Sequence, residues 1–170
     1  MTDTIIDIIK REFHLRVIEE SLARITQCVG LLTPEQLWYK HNRNTNSIGN
    51  LVLHLEGNIR QYIVSGVGGE NDVRQRSKEF LDGYDYLGSE ILDKLTATLQ
   101  AANAVVQAIS EEQLTETVTI QGFPHTRLSA ILHVIEHLSY HVGQITFYTK
   151  YVNDVDTAYY GGLDLDVTTS

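Results

Sequence analysis

Four stretches of this chain repeat apolar residues every three or four positions, and that rhythm restricts the fold more than any other feature. Residues 3 to 29 carry Ile5, Ile9, Phe13, Val17, Leu22, Ile25 and Val29, which line up as one stripe on a helix. Gly30 suits a left-handed cap, and Thr33-Pro34 opens a short further turn. After the polar run "KHNRNTNS", Asn46 or Ser47 can cap a second helix whose inner face is Ile48, Leu51, Val52, Leu55, Ile59, Tyr62 and Ile63. A third helix runs from Ser89 to about Ile109, with Ile91, Leu92, Leu95, Leu99, Ala102, Val105 and Val106 inward. The stretch "TETVTIQGFPHTRLS" instead alternates polar and apolar residues around Gly122-Phe123-Pro124, the pattern of a short strand or hairpin. A fourth helix runs from about Leu128 to Val152.

Four amphipathic helices of similar length predict an all-α four-helix bundle over residues 1–152, followed by an acidic, loosely packed tail at 153–170. From Gly66 to Gly88 the chain has no helical pattern, and a connection of this length is either a crossover or a lid. A crossover lets helices two and three run parallel, so the predicted order is up-down-down-up. The glycines Gly66, Gly68 and Gly69 are read as plain connection, with a flap as the alternative. Arg74 and Arg76 in "RQRSKEF" are read as a solvated charge cluster, with an anionic substrate as the alternative.

The bulk composition closes several routes. At 42% hydrophobic and 21% charged residues over 170 positions, the chain suits one globular domain rather than a disordered segment. No apolar run nears the roughly 20 residues of a membrane span, and "MTDTIIDIIKREFHLR" lacks the basic leader and apolar core of a signal peptide. A cytoplasmic location is expected. The net charge of −9 argues against nucleic acid and against anionic membranes as partners, which leaves small molecules and other protein chains. Cys28 is the sole cysteine, so there is no internal disulfide or cysteine zinc cluster, and its apolar neighbours suggest an inert packed thiol.

Seven histidines are present, and three of them, His133, His137 and His141, fall at four-residue intervals in "HVIEHLSYHVGQI". Residues four apart on a helix diverge by only about 40° and rise about 6 Å. On that wheel His141 borders the apolar face, His137 lies beside it and His133 is turned toward the edge. One metal ion can join an i, i+4 pair of imidazoles, but the outer two of the row are about 12 Å apart along the axis. His137 and His141 are therefore the predicted pair, and His133 is read as structural. His54, in the middle of "NSIGNLVLHLEGNIRQYI" near the apolar stripe, is the best third candidate. His14 lies inside the first helix, and His41 and His125 lie in polar turns. A hydrogen-bonded boundary histidine is the competing reading of His54 taken alone.

The segments "NSIGNLVLHLEGNIRQYI" and "HVIEHLSYHVGQI" together resemble the DinB-like (YfiT-like) metalloprotein superfamily, over about residues 5 to 152. The most specific element is a histidine, three residues, a second histidine and then Gly-Gln. The resemblance implies a four-helix bundle with a parallel middle pair. It further implies a divalent ion, commonly nickel or zinc, held by His54, His137 and His141, and a homodimer. Several members of that superfamily are thiol transferases using a low-molecular-weight thiol, and others are called hydrolases. Many members carry Arg immediately before Gly-Gln, where this chain has Val142, so any contact made by that arginine is absent here.

Three neutral imidazoles would leave the ion's charge undiminished and a coordination position open, as in catalytic rather than structural sites. The expected function is a metal-dependent thiol S-transferase or hydrolase, in which the ion activates a thiol or water toward a small electrophile. The alternative is a non-catalytic metal or small-ligand binding bundle with a sensing or interaction role. Asn58, His133, Tyr140 and Gln144 are candidates to surround the ion, with Glu56, Glu136 and Tyr148 as further polar groups in reach. A di-iron carboxylate site is excluded, because Glu56 and Glu136 are followed three residues later by Ile59 and Ser139 rather than histidine.

Overall fold

The computed structural model describes residues 2–82 and 86–168. The chain is mostly helical with one two-stranded sheet. The first long helix, α1, is continuous through Ile5–Phe13, His14–Leu22 and Ala23–Leu31, with a broader, π-helical middle third. Thr4 caps it through a reciprocal bond with Asp7. The second, α2, joins Ile48–Ile59 to Arg60–Val67; Ser47 is its cap, in a capping box with Asn50. The third, α3, spans Gly88–Ala108, and the fourth, α4, spans Arg127–Asn153 with Thr126 at its N-cap. Single turns of helix stand at Pro34–Trp38, Arg76–Phe80 and Glu112–Thr115.

The alternating segment forms an antiparallel hairpin of β1, Thr117–Ile120, and β2, Phe123–Thr126. Its turn residues Gln121 and Gly122 both have positive φ, 53° and 82°, as a two-residue hairpin turn of this hand requires. Ile120 at the turn packs on Gly66, where a side chain on the helix would collide with it.

The core is built from the predicted stripes. Phe13, Val17 and Ile25 of α1 are fully buried together with Leu55, Ile59 and Ile63 of α2, Ile91, Leu95 and Leu99 of α3, and Ile131, Leu138 and Ile145 of α4. The second helix departs from the one-sided pattern expected of it. Every residue of Ile48–Ile59 except Glu56 is buried, because α2 touches α3, α4, the turn at Pro34–Trp38 and the turn at Arg76–Phe80. It is the central element, not an outer one.

Two expectations need correction. The crossover is not plain connection: its residues 71–81 lie along α2, and Glu79 is buried there. The first part of the tail is not loosely packed either. Thr157 is buried and its carbonyl accepts a hydrogen bond from Gln27 (2.9 Å), while Tyr159 reaches Cys28 Sγ at 3.1 Å. Cys28 itself is buried in the core, as its apolar neighbours suggested. Residues 83–85 of the crossover and 169–170 of the tail lie outside the described residues. Among the described residues no helix is long and apolar enough to cross a membrane.

Candidate metal centre

Along α2 one narrow strip is polar or glycine: Asn50, His54, Gly57, Gln61 and Ser65. Steps of four, three, four and four residues keep all five within about 80° of one another around the helix. His54 is 6% exposed on this strip, facing α4. From α4, His141 is buried and His137 is half-buried. The contact between α2 and α4 brings His54, His137 and His141 together, with one ring nitrogen from each lying within 4.8 Å of the other two. His54 Nε2 and His137 Nε2 are 3.2 Å apart. A tetrahedral ion about 2.0–2.1 Å from each nitrogen would separate its ligands by about 3.3 Å, so that spacing fits.

The outward-facing nitrogens decide which way the lone pairs point. His54 Nδ1 lies 2.8 Å from Glu79 Oε2. The Glu79 carboxylate also accepts from Arg74 Nε at 2.7 Å and from Arg74 Nη2 at 2.9 Å. Arg74 Nη2 also lies 3.1 Å from His54 Nδ1, but the carboxylate oxygen is nearer and can only accept, which favours a protonated Nδ1 and a lone pair on Nε2. Gln144 Oε1 does the same for His141, at 2.7 Å from Nδ1. Two of the three imidazoles are thus fixed in the tautomer that offers Nε2, the arrangement by which neighbours orient metal-binding histidines. His137 differs, for its Nδ1 is buried with no hydrogen-bond partner among the described residues. Its Nε2 meets the lone pair of His54 Nε2, and a cation between the two nitrogens would satisfy both.

Burial disfavours protonation of the histidines on α4. Burial, helped by the nearby His141, His54 and His133 and by Arg74, pulls the His137 pKa down to about 3. Burial also lowers His141, against a raising hydrogen bond from Gln144, and lowers His133. Burial works to raise the Glu79 carboxyl, but hydrogen bonds from Arg74 and His54 and the Arg74 charge outweigh it, and the net shift is downward. Unprotonated imidazoles on α4 beside a charged carboxylate form a donor set suited to a divalent cation.

The remaining predicted residues divide. Gln144 touches His141 directly, and Tyr140 makes an edge contact with that ring at 5.0 Å while 63% exposed. His133 is not part of the cluster; it stacks between Tyr62 (4.2 Å) and His137 (5.4 Å), with Asn58 Nδ2 at 3.5 Å from its Nε2. Glu56 is turned away, bonded to Arg60 and Thr98. Tyr148 donates to the Gln36 carbonyl, and His14 lies near Glu19. His41 and His125 are in contact with tyrosines away from the cluster. The reading of Arg74 as solvated is wrong: its side chain is 3% exposed, because it is ion-paired with Glu79 beneath the crossover. Glu79, Arg74 and Phe80, whose ring lies 5.0 Å from that of His54, are the residues sequence reasoning missed. The polar strip on an otherwise buried helix was the available sign that something polar must dock there.

Residues 10–160 match the family described as "Protein of unknown function (DUF1572)". The chain belongs to the DUF1572 family. Its fold is that of DinB-like proteins. The structure is similar to a DinB-like protein from Bacillus cereus ATCC 10987, with TM-score 0.64 and 20% identity over 83% of this chain and 91% of that one. It is also similar to a DinB-like protein, YjoA, from Bacillus subtilis, with TM-score 0.64 and 13% identity over 88% of this chain and 94% of that one. A conserved protein from Enterococcus faecalis aligns with TM-score 0.67 and 13% identity over 91% of this chain and the whole of that one. Among curated proteins none matches. At these identities the likeness of this DUF1572 member to the solved structures concerns the fold, and the three-histidine cluster is compatible with metal binding.

Proposed function

We propose that His54, His137 and His141 hold one divalent ion, nickel or zinc, and that this DUF1572 protein is a metal-dependent thiol S-transferase or hydrolase acting on a small electrophile. The observation that carries the reading is the convergence of three ring nitrogens within 4.8 Å, two of them presenting lone pairs because Glu79 and Gln144 hold the opposite side of each ring. When bound, such an ion supplies Lewis acidity, so that a thiol or water loses its proton near neutral pH. The chain's own residues do the rest. Glu79 and Gln144 hold the imidazoles in place, and Phe80 packs on His54 and keeps water from that side. A cavity of about 330 Å³ is walled by Tyr39, His41, Phe147 and Tyr148; none of the three histidines lines it, and it meets the cluster only through Gln144, which touches His141. Its size is within the roughly 300–1,000 Å³ usual for small-molecule sites.

The reading takes in a four-helix bundle over residues 1–152 with a parallel middle pair, and a homodimer, both as the resemblance to the DinB-like superfamily implies. It takes a small molecule as the partner, with neither nucleic acid nor membrane, consistent with the net charge of −9. Elemental analysis of protein purified without added metal, then after loading with nickel or zinc, tests the site. One ion per chain, lost in His137→Ala, is the expected result. Wild-type protein that retains no divalent ion after loading would overturn it. Turnover of a panel of thiols and electrophiles by the loaded protein tests the catalytic half.

A further inference from the structure

The crossover meets α2 along the whole polar strip. Asn50 Nδ2 donates to the carbonyls of Glu79 (2.9 Å) and Leu81 (3.1 Å), while its Oδ1 is engaged by Ser47. One turn on, His54 meets the Glu79 carboxylate. At the next step stands Gly57, where a Cβ would run into Glu79 Oε1 and lie 3.0 Å from Arg74 Nε. Beyond it Gln61 accepts from Arg74 Nη1 (2.8 Å) and donates to Asp72 (2.7 Å), and Ser65 donates to the Asn71 carbonyl (3.3 Å). Five successive positions on one face of α2 thus receive residues 71–81, and the only one without a side chain is the one that seats the Arg74–Glu79 pair.

From this we infer that Glu79 is a positioning residue for His54 and that the crossover is a strap whose docking on α2 and whose site's ion occupancy reinforce each other. The inference rests on the metal reading for its second half only. Nothing about Glu79 reaches the reacting atoms; it acts through the imidazole it holds. With the strap seated, the His54 ring is fixed and its Nε2 is aimed before any ion arrives, so ordering of that ring is not charged against binding. With the strap lifted, His54 turns freely and the buried Arg74 and Glu79 are exposed together. By linkage, whatever factor the seated strap adds to ion affinity, the bound ion adds to strap seating. Gly57 is what permits the seat: a methyl there displaces the carboxylate without altering any ligand.

Trypsin reads the strap directly, since Arg74, Arg76 and Lys78 lie within it, and titration with nickel or zinc chloride reads the site. The comparison is between wild type, Gly57→Ala, Glu79→Gln and His137→Ala, with full-length chains checked for helical content by circular dichroism. Weakening an outer partner of a metal-binding histidine reduces affinity by about 10–100-fold, and both Gly57→Ala and Glu79→Gln are expected in that range. Metal-free Gly57→Ala is expected to be cut in the strap at least about tenfold faster than wild type, by the same linkage. Adding the ion should slow the cutting of wild type and leave His137→Ala unprotected, while metal-free His137→Ala is cut like wild type. Glu79→Gln keeps the test open should Gly57→Ala not fold. Equal cutting of metal-free Gly57→Ala, Glu79→Gln and wild type would overturn the strap. Ion uptake by wild type with no change in cutting would overturn the coupling. Failure of wild type to take up any ion would instead defeat the metal reading, and the metal-free comparison would still decide the strap.

Discussion

The two helices that supply the histidines hold them differently. On α2, His54 is gripped from behind by a buried carboxylate that is itself ion-paired with Arg74, and a phenyl ring covers one face. On α4, His141 leans on one neutral amide from its own helix, and His137 has no partner for its outer nitrogen among the described residues. One half of the site is assembled from distant chain segments and locked. The other is local, follows directly from helical spacing, and has slack. A strongly charged hydrogen-bond partner holds an imidazole more firmly than a neutral one, so α2 is the fixed jaw and α4 the adjustable one.

The largest test of this contrast removes a nitrogen from either jaw. His54→Ala and His137→Ala should each abolish stoichiometric nickel or zinc loading, read by elemental analysis after dialysis; retention by either would show that it is not a ligand. Next comes Arg74→Ala, which strands Glu79 in a buried position. Breaking a buried ion pair from one side costs about 3–5 kcal/mol, so urea unfolding should show a loss near that size in the metal-free protein. No comparable loss is expected for Glu136→Ala at the exposed position on α4.

Acid is the third lever. His137, His141 and His133 all have pKa values lowered from 6.5 in the folded chain, His137 to about 3. Below pH 6.5 the unfolded chain takes up protons that the native cluster refuses, so native stability falls with pH in that window and is fully present above it. Thermal unfolding of metal-free protein from pH 7.5 down to 4 should show this decline, and His137→Asn should flatten it. A decline of unchanged size in His137→Asn would refute the assignment. The smallest effect belongs to Gln144→Ala. Loss of one neutral hydrogen bond, worth about 1 kcal/mol, should weaken ion binding about fivefold by calorimetric titration, less than Glu79→Gln does.

The histidine pair and its relation to the apolar face were legible because both lie on one helix, where angle and rise are set by backbone geometry alone. His54 was legible for a related reason: a titratable residue in a nearly continuous apolar segment needs a partner. Glu79 was not, since residues 71–81 have no periodicity and their polar composition resembles any exposed loop. The tail misled similarly; "DVDTAYYGG" looks solvated, yet Thr157 and Tyr159 pack against α1. In both cases the partner lies 25 or more positions away in the chain, and local pattern carries no information about it.

Local spacing of apolar and imidazole side chains determined that this chain is mainly helical and which faces carry the histidines, because those properties depend on interactions within about four residues, whereas the cap expected at Gly30 lies inside the helix, which runs on to Leu31. The tertiary structure alone decided that α2 is the central, most enclosed helix and that an irregular segment supplies the buried acid behind His54. Those outcomes depend on how long connections fold back onto a polar strip, and a buried polar group is satisfied by whichever distant donor or acceptor the packing delivers.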